Sequence, residues 1–298
     1  MTERTEVEAL MRSFSRFLRA ANRSERTVET YLSSVAQLTD WCEANDADPL
    51  TRRAVEGYLA DLADRRKPAT VAFRYRSLQQ FFRWLEDEEE LDQSPMTKMR
   101  PPKVPEQPVP VLSPNQLRAL LATCEGKDFA DRRDQAVLRL FIDTGMRLAE
   151  LTGLRLEDLD LDVQKVAWVT GKGGRMRACP FGRRTSLALD RYLRVRARHP
   201  HAGEAALWLG AQKRGPLGHS GINQLLKRRA AQAGIEHLHA HMFRHTFADA
   251  MRRSGLDDDS LMRLAGWSSR QMLNRYGASA ADSRARERYQ SMAPGDDL

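Results

Sequence analysis

Cysteine is scarce in this 298-residue chain: only Cys42, Cys124 and Cys179 are present. The number is odd and no two have metal-binding spacing, which excludes a disulfide framework and leads us to expect a reducing, cytoplasmic setting. No apolar run approaches the ~18 residues that would span a membrane. The first ten residues carry Glu3, Glu6 and Glu8 without an apolar stretch, so they do not read as a secretory signal. Internal repeats and low-complexity tracts are also lacking. What remains is an ordinary globular composition, 41% hydrophobic and 30% charged, with length for about two domains.

Charge is present in excess of one sign: 48 Lys and Arg against 40 Asp and Glu give +8. The excess is not uniform. Residues 1–94 hold 14 basic and 18 acidic side chains, and residues 95–298 hold 34 and 22. A basic C-terminal two-thirds suits a polyanionic partner such as nucleic acid, although a solvated arginine-rich surface gives the same count.

The periodicity predicts a mainly α protein with one small β-hairpin. Val7, Leu10, Met11, Phe14, Phe17 and Leu18 form one helical stripe. Ser24 and Thr51 are placed to cap a second and a third helix, and Pro68 to open a fourth. Four such helices close a small bundle over residues 1–94, with the acidic run Glu86 to Glu90 on its solvated face. Six prolines then fall within residues 95–112, which reads as a stiff linker or strap. Ser113-Pro114 starts a second domain, 113–298. Helices are expected at about 131–144, 183–198, 220–233, 241–254, 258–265, 268–276 and 282–291. Residues 165–170 and 175–181 flank Gly171-Lys172-Gly173-Gly174, a hairpin turn signal.

Four places in the second domain carry side chains suited to phosphate chemistry. Arg147 follows a helix-ending Gly145 and opens the next helix, with Glu150 one turn on. Lys172 sits at the hairpin tip, able to reach into a groove and give up a proton. His241, Arg244 and His245 share one helical face. Trp267 offers a single N–H donor and Tyr276 a hydroxyl. The run His237, His239, His241, His245 also allows a zinc reading through i,i+4 chelation, but no Glu follows the first His and no Cys lies near.

Taken in order, Arg147, Lys172, His241-x-x-Arg244, Trp267 and Tyr276 resemble the constellation of the tyrosine recombinases, or phage integrase family. The spacing from Arg244 to Tyr276 is 32 residues and from Trp267 to Tyr276 is 9, both similar to that family. The likeness spans about 113–291, and residues 1–94 look like its helical, SAM-like core-binding domain. It implies a site-specific recombinase that cuts and rejoins duplex DNA through a 3′-phosphotyrosyl bond, with no metal, ATP or other cofactor. In that scheme Tyr276 attacks the phosphorus, and Arg147 and Arg244 clamp the non-bridging oxygens. His241 and Trp267 donate to the same group, His241 can accept the tyrosine proton, and Lys172 protonates the leaving 5′-oxygen. Glu150 and His245 support these groups. Arg52, Arg53, Arg74 and Arg76 in the first domain and Lys227, Arg228 and Arg229 in the second are expected on DNA.

The resemblance further implies duplex DNA with short inverted-repeat core sites as partner, and a homotetramer on synapsed DNA. Exchange of a C-terminal helix, 281–292, would join its subunits, with Tyr289 and Met292 as anchors. Trp267 stands where many members have His, and Met242-Phe243 departs from the usual pair. The wording from Gly266 to Tyr276 differs from that typical of chromosome-resolving Xer members, which favours a mobile-element or phage enzyme over an Xer-like resolvase. No additional arm-binding domain is expected. The alternatives are relaxation of DNA in the manner of a type IB topoisomerase, and a DNA-binding protein without catalysis.

Overall fold

A computed structural model describes residues 2–105, 110–171, 174, 176–212, 214–267, 269–270, 273, 289 and 293. Two compact units are present, residues 1–107 and 108–298. Among the described residues, no helix is long and apolar enough to cross a membrane.

The first unit is built from α1 (Thr2–Ala20), α2 (Glu25–Ala44), α3 (Arg52–Arg65) and α4 (Pro68–Asp87). Ser24 Oγ accepts from Thr27 N at 3.2 Å and Thr51 Oγ1 from Ala54 N at 3.3 Å, so both expected caps satisfy first-turn donors. Val7, Phe14, Leu18, Val35, Leu38, Val55, Phe81 and Phe82 make the core. Phe17 differs from its stripe-mates and is 44% exposed. It lies at the border of the stripe and stacks on Phe14, with Trp84 tilted beside it. Glu86 to Glu90 are exposed.

The proline-rich segment is not a free strap along its whole length. Residues 94–99 fold back as turns on the first unit, where Met96 is buried and Tyr75 Oη donates to Met99 O at 2.8 Å. Leu112, at the other end, is buried in the second unit, and its N–H donates to Thr246 Oγ1 at 2.8 Å. Apolar side chains at both ends draw the linker onto the bodies it joins.

The second unit contains α5 (Pro114–Ala122), α6 (Phe129–Thr144), α7 (Leu148–Gly153), β1 (Leu159–Asp160), β2 (Val166–Thr170), β3 (Met176–Pro180), α8 (Arg183–Arg196), α9 (His219–Gln232), α10 (Ala240–Arg253) and α11 (Asp258–Ala265). Ser113 makes a capping box with Gln116. The three strands form an antiparallel sheet in the order β1-β2-β3. Strand β1 was not expected; at two residues it is too short to alternate. Helix α6 is the central element: Ala136, Val137, Leu138, Leu140 and Phe141 are all fully buried, as a helix enclosed by others requires. The expected helices at 268–276 and 282–291 lie, apart from Ser269, Arg270, Leu273 and Tyr289, outside the described residues.

A buried ionic knot corrects part of the expected DNA surface. Asp134 on α6 is fully buried and accepts from Arg133, Arg228 and Arg229. Arg229 also donates to Asp131 Oδ1 at 2.6 Å and Gln232 Oε1 at 3.2 Å. Its guanidinium is thus spent inside the protein and cannot reach DNA. Arg228 spends one nitrogen on Asp134, at 2.6 Å, but its side chain is half exposed. Lys227 is exposed. The three basic residues are consecutive on a helix, so they point about 100° apart and cannot share one face. In the first unit Arg52 pairs with Glu56, Arg74 donates to Ser34 Oγ, and Arg53 and Arg76 are exposed.

Candidate active site

The site gathers around one short helix end. Helix α11 is capped at its start by Asp257, which accepts from Ser260 N at 2.8 Å. It stops at Gly266, whose φ of +64° favours glycine. The terminal carbonyls of a helix have no partners within it and carry its negative dipole end. Here three arginines from three other places supply the donors. Arg177 Nε donates to Leu264 O at 3.1 Å, Arg244 Nη2 to Ala265 O at 2.6 Å, and Arg147 Nη2 to Gly266 O at 3.3 Å. Arg244 also donates to Gly145 O at 3.1 Å, tying α10 to the turn before Arg147.

Glu150 organises the exposed member of the set. It accepts the Arg147 backbone N–H and the Arg147 guanidinium, each at 2.7 Å, and Arg177 Nη2 at 3.0 Å. Burial pushes the Glu150 pKa up, but the Arg177 hydrogen bond and the Arg147 donors outweigh it and hold the carboxylate below its ordinary range. The Arg147 side chain keeps 39% of its surface exposed while Glu150 keeps 4%, so the cation is both fixed and open to a ligand.

Trp267 follows directly, buried at 6% exposure, with the Arg244 guanidinium 5.2 Å from its ring centre. Leu273, Leu261, Ala265, Phe247 and Ala248 enclose it. His241 and His245 lie one turn apart on α10, rings 4.3 Å apart and edge to face. His241 lies at the surface of the site; partial burial of its ring first, and then the nearby charges of Arg244, His239 and Arg147, lower its pKa. Burial, then His241, His239 and Arg244, push the His245 pKa down to about 3.

The structure therefore brings together Arg147, Glu150, His241, Arg244, His245 and Trp267 from α6–α7, α10 and the turn after α11. Lys172 and Tyr276 lie outside the described residues. Among the described residues, no three His, Cys, Asp or Glu side chains converge to hold a metal. Tyr289, expected as an anchor of the C-terminal helix and the other hydroxyl near the C-terminus, is 63% exposed.

One member of the site was missed. Arg177 shares with Ala167, Val169 and Cys179 the face of the sheet that packs inward, through the pairs Val169↔Arg177 and Ala167↔Cys179. A charged residue at an inward strand position is the signal that marked it. Cys179, beside it, has its thiol pushed up to about 11 by burial.

Folding is expected to weaken on acidification. Above about pH 6.5 His245 is neutral in both folded and unfolded chains. Below that the unfolded chain takes up a proton that the folded site refuses until about pH 3. Stability then falls by on the order of 1 kcal/mol per pH unit as pH drops through this window. Glu150, depressed in the fold, adds a fall of the same sign at the acid end. Denaturant unfolding at pH 7, 6 and 5 measures the slope. His245→Gln should flatten it; an unchanged slope would show that this imidazole is not its source.

Comparison with known proteins agrees with this architecture. Residues 110–283, more than half of the chain, match the phage integrase family, and residues 10–91 match the phage integrase N-terminal SAM-like domain. The chain is 32% identical over 267 residues to tyrosine recombinase XerC of Chromohalobacter salexigens, covering 87% of this chain and 86% of that protein. Its fold is similar to XerH site-specific recombinase bound to a palindromic difH substrate (TM-score 0.73, 17% identity, 93% of this chain and 82% of that one). It is also similar to a lambda integrase tetramer bound to a Holliday junction (TM-score 0.70, 17% identity, 88% and 77%). The class is that of DNA strand transferases of the tyrosine type. The chain belongs to the phage integrase family and is a site-specific DNA recombinase.

Proposed function

We propose that this recombinase cuts one DNA strand at a time through Tyr276, forming a 3′-phosphotyrosyl bond and freeing a 5′-hydroxyl. Arg147 and Arg244 hold the non-bridging oxygens of the scissile phosphate. Trp267 and His241 complete the cage, and neutral His241 accepts the Tyr276 proton. Lys172 returns a proton to the departing 5′-oxygen. The bond energy is kept in the phosphotyrosine, so a second 5′-hydroxyl can reverse the step on a new partner with no cofactor. Glu150 and His245 hold Arg147 and His241 in place. The observation that carries this reading is the convergence of Arg147, Arg177 and Arg244 on successive carbonyls of the turn that bears Trp267, with one arginine left open to solvent.

The substrate in this reading is duplex DNA with short inverted-repeat core sites, in the cytoplasm. Arg52, Arg53, Arg74, Arg76, Lys227 and the exposed part of Arg228 contact its backbone; Arg229 has no part in it. Four copies act together on synapsed DNA, joined by the C-terminal helix; the tetramer on a Holliday junction formed by the lambda integrase of similar fold supports the fourfold assembly. The Xer name of the 32%-identical relative favours an Xer-like role over a mobile-element one.

The test is a covalent trap. Protein incubated with a nicked suicide duplex, built from the inverted repeats beside its gene, should give a denaturant-resistant protein–DNA adduct. Tyr276→Phe should abolish the adduct and leave duplex binding intact. An adduct that survives in Tyr276→Phe and disappears in Tyr289→Phe would move the nucleophile. Tight binding with no adduct at all would favour the non-catalytic alternative, and supercoil relaxation without strand exchange the topoisomerase one.

A further inference from the structure

Arg177 is not one of the six positions that carry the family likeness, yet it hydrogen-bonds both Glu150 and the end of α11. We propose that Arg177 is a positioning residue for strand transfer, locking the β-hairpin, Glu150 and the Gly266–Trp267 turn into a single frame and acting through Arg147.

Its side chain leaves strand β3 only 11% exposed and bridges elements distant in sequence. Nη2 donates to Glu150 Oε2 at 3.0 Å, across 27 positions, and Nε donates to Leu264 O at 3.1 Å, across 87. Its stem lies against Gly266: a Cβ there would meet Arg177 Cδ at 2.9 Å and Nε at 3.0 Å. A guanidinium is planar with donors at fixed angles, so satisfying two acceptors at once fixes the distance between them. Those acceptors matter to the chemistry. Glu150 holds both the backbone and the guanidinium of Arg147, and the Gly266 carbonyl accepts from that same guanidinium one residue before Trp267. Strand β3 itself is the return arm of the β2–β3 hairpin. Removing Arg177 leaves Glu150 to Arg147 alone and lets the α11 turn shift against the sheet. Lysine keeps the charge and the stem but, with no planar fork, cannot hold both acceptors at the same geometry. Gly266 is required on two counts, its positive φ and the guanidinium lying over it.

This inference rests on Arg147 as the phosphate clamp, and the experiment separates the two. Single-turnover cleavage of the nicked suicide duplex is measured with saturating full-length protein, beside direct titration of the same duplex. Arg177→Lys and Arg177→Ala should each slow cleavage, by about 10²-fold for the alanine variant, with duplex affinity unchanged. If the alanine variant does not fold, the lysine variant carries the test. In an Arg147→Lys background, Arg177→Lys should slow cleavage by much less than it does in the wild type, because both changes act through one arginine. Three results would overturn the proposal: wild-type cleavage by Arg177→Lys, an undiminished further loss in the Arg147→Lys background, or a loss of rate matched by an equal loss of duplex affinity. Wild-type cleavage by Arg147→Lys alone would remove the clamp assignment, and this inference with it.

Discussion

Arg244→Lys is expected to cleave DNA 10²–10³-fold more slowly than the wild type, equivalent to about 2.7–4 kcal/mol of barrier. The reason is geometric. Arg244 is 1% exposed and its fork spans Gly145 O on one side and Ala265 O on the other, with its plane beside Trp267. Lysine offers one compact ammonium and cannot serve both carbonyls and a phosphate oxygen. The same substitution should also destabilise the second unit by roughly 1–3 kcal/mol, because a carbonyl loses its buried donor. Arg147→Lys makes the contrast. Its side chain is 39% exposed, so the same order of rate loss should come with a smaller change in stability. Single-turnover cleavage and thermal unfolding of the two variants separate these effects. Cleavage by Arg244→Lys within a few-fold of the wild type would refute its role at the phosphate.

Asp134→Ala is expected to destabilise the second unit by about 3–5 kcal/mol, the usual consequence of removing one partner from a buried ionic group. Arg133 and Arg229, with side chains 4% and 6% exposed, would lose their shared carboxylate at 2.7 and 2.8 Å. Their remaining acceptors are Leu209 O for Arg133, and Asp131, Gln232 and the Thr123 carbonyl for Arg229. For a unit of this size the transition should fall by roughly 6–20 °C in a calorimetric scan. Arg228→Ala, which removes the half-exposed partner, should move it far less. A small shift for Asp134→Ala would mean that Asp131 and the backbone carbonyls suffice for both arginines.

Much of this was legible in the residues. Ser24, Thr51 and Ser113 mark helix starts by local hydrogen-bond chemistry and Pro68 by its fixed φ, and each element begins where they stand. Gly145 and Gly266 end α6 and α11 with φ of +54° and +64°, as a glycine after a periodic run suggests. The order Arg147, His241-x-x-Arg244, Trp267 is likewise a statement about residue types and spacing. The expectations that needed revision depend on distant partners. Residues 95–99 and Leu112 left the linker because Tyr75 and Thr246 were waiting for them. Arg229 left the DNA surface because Asp131 and Asp134 lie more than 90 positions away in the chain.

The amino-acid sequence by itself determined where the helices begin and end, the division into an acidic helical part and a basic larger one, and the residue types of a phosphate-handling site. Those properties are local: caps, periodicity and spacing act within a few residues or along one chain. Only the tertiary structure decided which acceptors hold each arginine. Arg147, Arg177, Arg228, Arg229 and Arg244 are chemically alike in sequence. Packing makes one an open cation on a buried carboxylate, two the fixed donors of a helix end, and two members of an ionic knot, because a guanidinium's role is set by the acceptors that folding brings within 3 Å or so of it.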